Sequence, residues 1–359
     1  MYIKNLTLKN YRNYENEIFS FSSGINILVG NNAQGKTNSA EAIFYLCTGY
    51  SPRVTKDKQV IKYGEQSAKI SGVCESRFGG IEVEIEFKQT KKNILVNGVP
   101  LKKIGELMGN VNSVFFNPSD LKLIQESPED RRRFLDISLS QMDRQYFYTL
   151  QTYKKILEQR NNLLKSDDLE TVNATLPLWD SELAALAVEI IKKRKAFISQ
   201  LTPHFKKAHS DIAGGDEIEI SLETSYLESD TKEELIKAYE QRRERDLILG
   251  YTTIGPHRDD LKIKLNGEDV RVFGSQGQQR SVAISLKLAE LEVFNEKFNE
   301  YPILILDDAL SELDLNRRNR LISRLSGFQT IITLTDIPVE FQGKDGVNII
   351  KINNGKIEK

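Results

Sequence analysis

The residues Gly30-Asn31-Asn32-Ala33-Gln34-Gly35-Lys36-Thr37 carry the most specific chemistry in this sequence. They fit the spacing G-x-x-x-x-G-K-[ST], in which glycines let backbone N–H groups turn inward around phosphate oxygens. A helix that follows such a loop points its positive end at the same oxygens. Lys36 is then placed for β and γ phosphates, and the Thr37 hydroxyl for Mg²⁺. The implied ligands are ATP and Mg²⁺. The flanks support this reading. Gly24-Ile25-Asn26-Ile27-Leu28-Val29 is a short apolar strand pattern running into the loop, and Ala40, Ile43, Phe44 and Leu46 recur at helical spacing after it.

A second constellation is Ile303-Leu304-Ile305-Leu306-Asp307-Asp308, an apolar strand ending in two carboxylates. Such a strand tip is where phosphate-loop ATPases hold Mg²⁺. Asp307 is assigned to the metal, and Asp308 to orienting or deprotonating the attacking water. Read alone, the run could equally be a buried strand followed by an acidic helix cap. A third is Gly274-Ser275-Gln276-Gly277-Gln278-Gln279-Arg280, a polar loop opening a long helix. Its helix N-terminus is a second anion site. One nucleotide has no need of two such sites from one chain. Ser275, Gln276, Gly277 and Gln278 are therefore expected to bind the γ-phosphate held by a second copy, in an ATP-dependent homodimer.

The elements that must position these groups are legible in outline. Residues 1–37 read as strand, hairpin, strand, loop, and residues 67–99 alternate in a β manner, with Asn97-Gly98 as a hairpin turn. From Pro128 to about Gln241 the sequence turns rich in Leu, Lys, Glu, Arg and Gln, with Leu157, Leu164, Leu183, Leu186 and Ile190 at helical spacing. Strands return at Leu261–Leu265, followed by a helix over Gln278–Phe298, the strand Ile303–Leu306 and the strand Thr330–Leu334. The expected fold class is α/β: a split head, residues 1–119 and 246–359, carrying a helical arm over residues 120–245. Half of that arm as one helix would span about 90 Å.

Fifty basic residues face 51 acidic ones, so any nucleic-acid site must be a local patch. Cys47 and Cys74 match no zinc spacing and suggest a reducing, cytoplasmic setting. The start lacks the apolar core of a signal peptide, and no stretch has the ~20 apolar residues of a membrane span.

The order of these motifs, with Ser311-Glu312-Leu313-Asp314 as a D-loop, resembles ABC-type ATPases. Several features depart from the transporter form. Gly274 and Gln276 replace residues of its Leu-Ser-Gly-Gly-Gln signature, Asp308 stands where most relatives carry Glu, and Thr333-Leu334-Thr335-Asp336 holds no switch histidine. Tyr11-Arg12-Asn13-Tyr14, Ser51-Pro52-Arg53, Arg131-Arg132-Arg133-Phe134-Leu135-Asp136 and Gly255-Pro256-His257-Arg258-Asp259-Asp260, together with the signature and Leu306-Asp307-Asp308, resemble the RecF family of bacterial recombination mediators. That family is related to Rad50 and SMC proteins. The resemblance spans residues 1 to about 355. It implies an ABC-like head with a short arm, ATP-dependent dimerisation on double-stranded and gapped DNA, and slow ATP hydrolysis. It also implies cooperation with RecR and RecO in loading RecA at single-strand gaps, in repair and replication restart.

Residues 51–110 hold 11 Lys and Arg against 7 Asp and Glu, and Arg53, Lys56 and Lys58 are candidate DNA contacts. Arg131 and Arg132 are candidates too, or else part of a solvated helix face. Lys192-Lys193-Arg194-Lys195 reads as a solvated helix face, with DNA contact as the alternative. Arg12 could reach phosphate or make an ordinary surface contact. His257 and Arg258 could be a local ion-pair cluster or part of the nucleotide interface, and Trp179 is expected in the arm's core. Two alternatives compete with a DNA clamp. A transporter-type ATPase would carry the signature and histidine that are missing, and a small-molecule kinase would have no use for Ser275–Gln278.

Overall fold

Ile25–Val29 is apolar apart from Asn26 and buried at every position. A strand buried on both faces belongs inside a parallel sheet. In the computed structural model, which describes residues 1–224, 231–311, 313–341, 343 and 346–358, it pairs in parallel with Thr330–Leu334 on one side and Val347–Asn353 on the other. The sheet continues from Thr330–Leu334 to Ile303–Asp307 and then Ser113–Phe116, all parallel. Its far edge is the antiparallel hairpin Val347–Asn353 with Lys356–Ile357. The phosphate-loop strand and the acidic strand are thus separated by Thr330–Leu334.

A second six-stranded sheet is antiparallel, in the order Tyr14–Ser20, Tyr2–Tyr11, Ser67–Ser76, Gly79–Lys88, Lys92–Val96, Val99–Pro100. Val83, Ile85 and Phe87 are buried on its inner face, as the alternation demands. The helix Lys36–Thr48 touches strands of both sheets. That explains why it is buried over nearly its whole circumference and shows no single apolar stripe.

Both sheets belong to one compact unit, residues 1–121, 204–216 and 274–359. The other unit comprises residues 122–203 and 217–273. It holds the helices Pro128–Met142, Arg144–Leu163 and Lys232–Leu249, most of the 45-residue helix Leu169–Ala213, and a small antiparallel sheet built on Asp260–Leu265 and Ile218–Glu223. At 1.5 Å per residue the long helix spans about 68 Å.

The division differs from the expected arm of residues 120–245 at two places. Residues 246–273 pack with the helices. Asp246 takes the Arg160 guanidinium at 2.8 Å, and Leu261 and Ile263 pair with Leu222 and Ile220. Residues 204–216 pack with the sheets. His204 meets Glu296 at 2.9 Å, and Asp211 meets Arg324 at 2.8 Å.

The centre of the second unit is ionic, which corrects three readings. Arg160, fully buried, donates to Asp180 at 2.7 Å and to Asp246 at 2.8 Å. Arg194 lies inside the unit, not on a solvated face. It is 1% exposed and donates to Asp136 at 2.8 Å, Asp259 at 3.0 Å and the Pro256 carbonyl at 2.6 Å. Arg131 is also unavailable to DNA. It is buried, forks onto Asp260 at 2.6 and 3.0 Å, and donates to the Leu123 and Glu126 carbonyls. Arg132, half-buried, donates to the Asp259 carbonyl at 2.7 Å, and burial pulls its pKa below the ordinary value. Trp179 is only half-buried, because its neighbour Asp180 takes the inward position. Among the described residues no helix is long and apolar enough to cross a membrane.

Candidate nucleotide site

The loop from Gly30 to Gly35 is shaped by what packs around it. A Cβ on Gly30 would stand 2.2 Å from the Ile352 carbonyl oxygen, so only glycine lets the neighbouring strand approach. Gly35 has φ 120°, and a Cβ there would meet the Asn13 amide at 2.7 Å and the Tyr14 hydroxyl at 2.8 Å. The Tyr11–Tyr14 hairpin therefore closes directly over the loop. Asn13 donates to the Gln34 carbonyl at 2.8 Å and accepts from Asn38 at 2.9 Å. From the other side the Asn354-Gly355 turn contributes two backbone N–H groups. Gly355 donates to the Gln34 carbonyl at 3.0 Å, and Asn354 donates to the Gln34 side chain.

Lys36 is 8% exposed and donates to the carbonyls of Gly30 and Asn31, the latter at 2.8 Å. Burial pulls its pKa down, while Asp308, Asp307 and Asp336 push it back up. A cation that feels three carboxylates marks where phosphate and metal charges would be balanced. Thr37 donates its hydroxyl to Asp307 at 2.9 Å, and Thr333 from the intervening strand donates to the same carboxylate oxygen at 2.6 Å. Burial pushes Asp307 above the usual carboxylate range, and the two hydroxyl donors only partly offset this. A buried carboxylate held by two hydroxyl donors suits a hard divalent cation. Thr37 and Asp307 together offer hard oxygen donors of the kind that Mg²⁺ takes.

Asp308 is exposed and has φ 53°, a left-handed conformation that Asp tolerates better than most residues. Its N–H donates to Thr333 at 3.0 Å, and its carboxylate accepts from Ser311 at 2.7 Å. Glu312 of the D-loop lies outside the described residues. An open cleft of about 590 Å³ beside the loop is lined by Gly30, Asn31, Gln34, Asp336 and residues of the C-terminal hairpin. Asp336 has no hydrogen-bond or ion-pair partner among the described residues.

Behind the loop, Glu41 is fully buried on the helix Lys36–Thr48. It accepts from Arg12 at 2.7 and 3.1 Å and from Ser51 at 2.5 Å, and Arg53 lies 3.6 Å away. Arg12 thus packs against the helix Lys36–Thr48 and the Gln59 carbonyl. Arg53 also donates to Asn38 at 3.0 Å, so it braces the loop's helix even though it is half-exposed. Lys56 and Lys58 are exposed. His257 sits in a structural cluster, donating its Nε2–H to the Thr252 carbonyl at 3.0 Å and pairing through Nδ1 with the Tyr153 hydroxyl at 2.6 Å.

Ser275 caps the helix Gln276–Phe298 through a reciprocal capping box with Gln278. Ser275 and Gln276 are exposed, so this helix N-terminus faces solvent. Gly277 is covered by Arg317, whose guanidinium would stand 2.6 Å from a Cβ at that position. Sequence reasoning missed Asn13, Asn38, Glu41, Thr333 and the Asn354-Gly355 turn as parts of the site. The Asn-Gly turn was visible as a turn, but nothing in its local pattern says that it meets Gln34.

The family model described as the RecF/RecN/SMC N terminal domain matches residues 2–357. The chain is 43% identical over 364 aligned positions to the DNA replication and repair protein RecF of Clostridium acetobutylicum, covering 99% of each chain. It superposes with a TM-score of 0.88 and 35% identity on the structure of the recombination mediator protein RecF-ATP in the RecFOR pathway, covering 100% of this chain and 97% of that one. The Smc head domain of Pyrococcus furiosus, with an extended coiled coil and bound to the C-terminal domain of ScpA, shares the fold at a TM-score of 0.58 and 16% identity.

Proposed function

Because this chain belongs to the RecF family of SMC-like ABC-type ATPases, whose members act in DNA replication and repair, we propose that it is an ATP-gated DNA clamp. In this reading it dimerises on ATP, binds double-stranded DNA and gapped junctions in the cytoplasm, and works with RecR and RecO to help load RecA. Slow hydrolysis releases it. One observation carries the reading: Thr37 of the phosphate loop hydrogen-bonds Asp307 at the tip of the acidic strand, 270 residues away in sequence, and the adjacent Lys36 feels the charge of that carboxylate.

The residues divide the work. Backbone N–H groups of Asn31–Thr37 and the Lys36 ammonium bind the phosphates. Thr37 and Asp307 hold Mg²⁺, which when bound neutralises charge on the phosphate oxygens. Asp308, at the strand tip, orients the attacking water and takes its proton. Ser275 to Gln278 of one copy complete the site of the other, because this helix N-terminus faces solvent, with Ser275 and Gln276 exposed.

The test is DNA affinity and molecular mass with ATP, with ADP and without nucleotide. Dimers and tight duplex binding in ATP alone are expected. A monomer throughout, or equal DNA affinity in all three states, refutes the clamp.

A further inference from the structure

The segment after Ser51 ends in a tight turn, Lys62-Tyr63-Gly64-Glu65, closed by the Glu65 N–H donating to the Lys62 carbonyl at 3.0 Å. Gly64 has φ 87°, the left-handed value that the third position of a type II turn requires. A Cβ there would meet nothing within 4 Å, so the turn stands clear of the molecule. Tyr63 at its second position is 101% exposed, the most exposed large hydrophobic side chain described. It makes no ring contact or hydrogen bond among the described residues. Single exposed aromatics are ordinary. This one is unusual in being held out by a rigid base. The Lys62 N–H donates to the Asn10 carbonyl at 2.8 Å, the Asn10 amide donates to Glu65 at 3.0 Å, and Ile61 bridges to Tyr11. Phe78, the other strongly exposed ring of the same unit, already has the Arg77 guanidinium over its face at 4.5 Å.

Lysines stand close to the turn in sequence. Lys56 and Lys58 are exposed a few residues upstream, and Lys62 is half-exposed. The nearby acids are largely engaged: Asp57 with Lys92 at 2.9 Å, Glu65 with Asn10, and Glu15 with Lys62 at 4.0 Å. A pre-positioned ring flanked by lysines suits nucleic acid. Cations take the backbone, and a π-face takes a base. In an intact duplex every base face is covered by its neighbour. At a gap or single-strand junction the terminal base pair, or the first unpaired base, offers a free face.

We propose that Tyr63 stacks on the exposed base at a break in a DNA duplex, making this turn the element that distinguishes gapped from continuous DNA. The inference rests on the DNA-binding reading above and deepens it.

The experiment compares full-length wild type with Tyr63→Ala and Tyr63→Trp in ATP, on continuous duplex and on duplex with a single-stranded gap. Each gapped substrate carries 2-aminopurine at the gap edge. Loss of one stacked base should weaken gapped-DNA binding of Tyr63→Ala by roughly 5- to 150-fold. Affinity for continuous duplex should stay unchanged, and Tyr63→Trp should keep the preference. Wild type should quench 2-aminopurine, and Tyr63→Ala should not. Equal loss on both substrates, or no loss on gapped DNA, overturns the proposal. So does loss of RecR binding with DNA affinity intact, which would make the ring a protein contact. Reversing Lys56 and Lys58 separates the two levels: if wild type binds neither DNA and these changes alter nothing, the clamp reading falls as well.

Discussion

Lys36 makes its hydrogen bonds to carbonyls of its own loop and sits among Asp307, Asp308 and Asp336. Its charge is therefore the main positive counterweight inside an acidic site. Lys36→Ala should abolish ATP binding in a fluorescent-nucleotide titration, because phosphates would then enter a group of carboxylates with no cation. Near-wild-type affinity would mean that the loop is not the nucleotide site. Asp308 and Asp307 are adjacent in sequence but differ in environment. Asp307 is buried under two hydroxyl donors, and Asp308 is exposed with one. In the proposed mechanism that difference gives the metal to Asp307 and the water to Asp308. Asp308→Asn should keep ATP affinity and slow turnover by ~10²–10⁴-fold. Unchanged turnover in a phosphate-release assay would move the catalytic role to another carboxylate, Asp336 first.

At the scale of elements, the helix Gln276–Phe298 presents its capped start to solvent. Ser275→Arg should leave ATP binding by the monomer intact and abolish ATP-dependent dimerisation, since the side chain would fill the partner's phosphate site. The same change removes a helix cap, worth ~0.5–2 kcal/mol. Ser275→Asn, which can still cap, should therefore fold with wild-type stability in a urea titration and separate the two effects. A Ser275→Arg protein that dimerises normally in gel filtration would refute the composite site.

The second unit carries a pH signature. His257 is buried against Tyr153 and Thr252, and burial pushes its pKa from 6.5 down to about 4. A base with a depressed folded pKa stabilises the fold above the unfolded value, and that stability is lost as pH falls from 6.5 toward 4. Asp259, raised by burial from 3.8 to about 6, acts in the opposite sense over that range. Urea stability should therefore rise between about pH 4 and 6.5 less steeply than His257 alone would give. His257→Gln should remove the rising component and leave a flat or falling profile. An unchanged profile would show that His257 titrates normally in the fold.

For the whole molecule the net charge is −1, so in the proposed clamp DNA would bind to local patches. In a dimer the exposed Lys56 and Lys58 would be present twice. Six to eight phosphate contacts would give a log–log salt slope of roughly −5 to −7. Reversing Lys56 and Lys58 should flatten that slope with ATP affinity unaltered, as fluorescence anisotropy in graded salt would read. Arg53 is left out of this test because it hydrogen-bonds Asn38 on the helix behind the phosphate loop, and its reversal would disturb nucleotide binding too. Arg131 and Arg132 are excluded by their buried partners. Wild-type slopes in both variant and parent would place the DNA elsewhere.

The phosphate loop, the acidic strand tip, the capped signature helix and the insertion between two α/β thirds were all legible in the sequence. Each is a contiguous run whose geometry follows from local rules: glycine conformations, strand and helix periods, and a capping residue at the right offset. What surrounds those runs depended on contacts between distant segments. Arg131 could be read as a phosphate grip or as part of a solvated face because its counter-charge, Asp260, lies 129 residues away. Glu41 and Arg12 look unremarkable 29 positions apart, yet they form a buried pair behind the loop. The split boundary followed the same logic: residues 246–273 join the helices through a buried ion pair and a strand ladder that no window of sequence contains. Charge and motif identity are written along the chain. Whether a charge is free to meet a ligand or already neutralised inside the fold is decided only when the chain closes, because burial and pairing belong to neighbours in space.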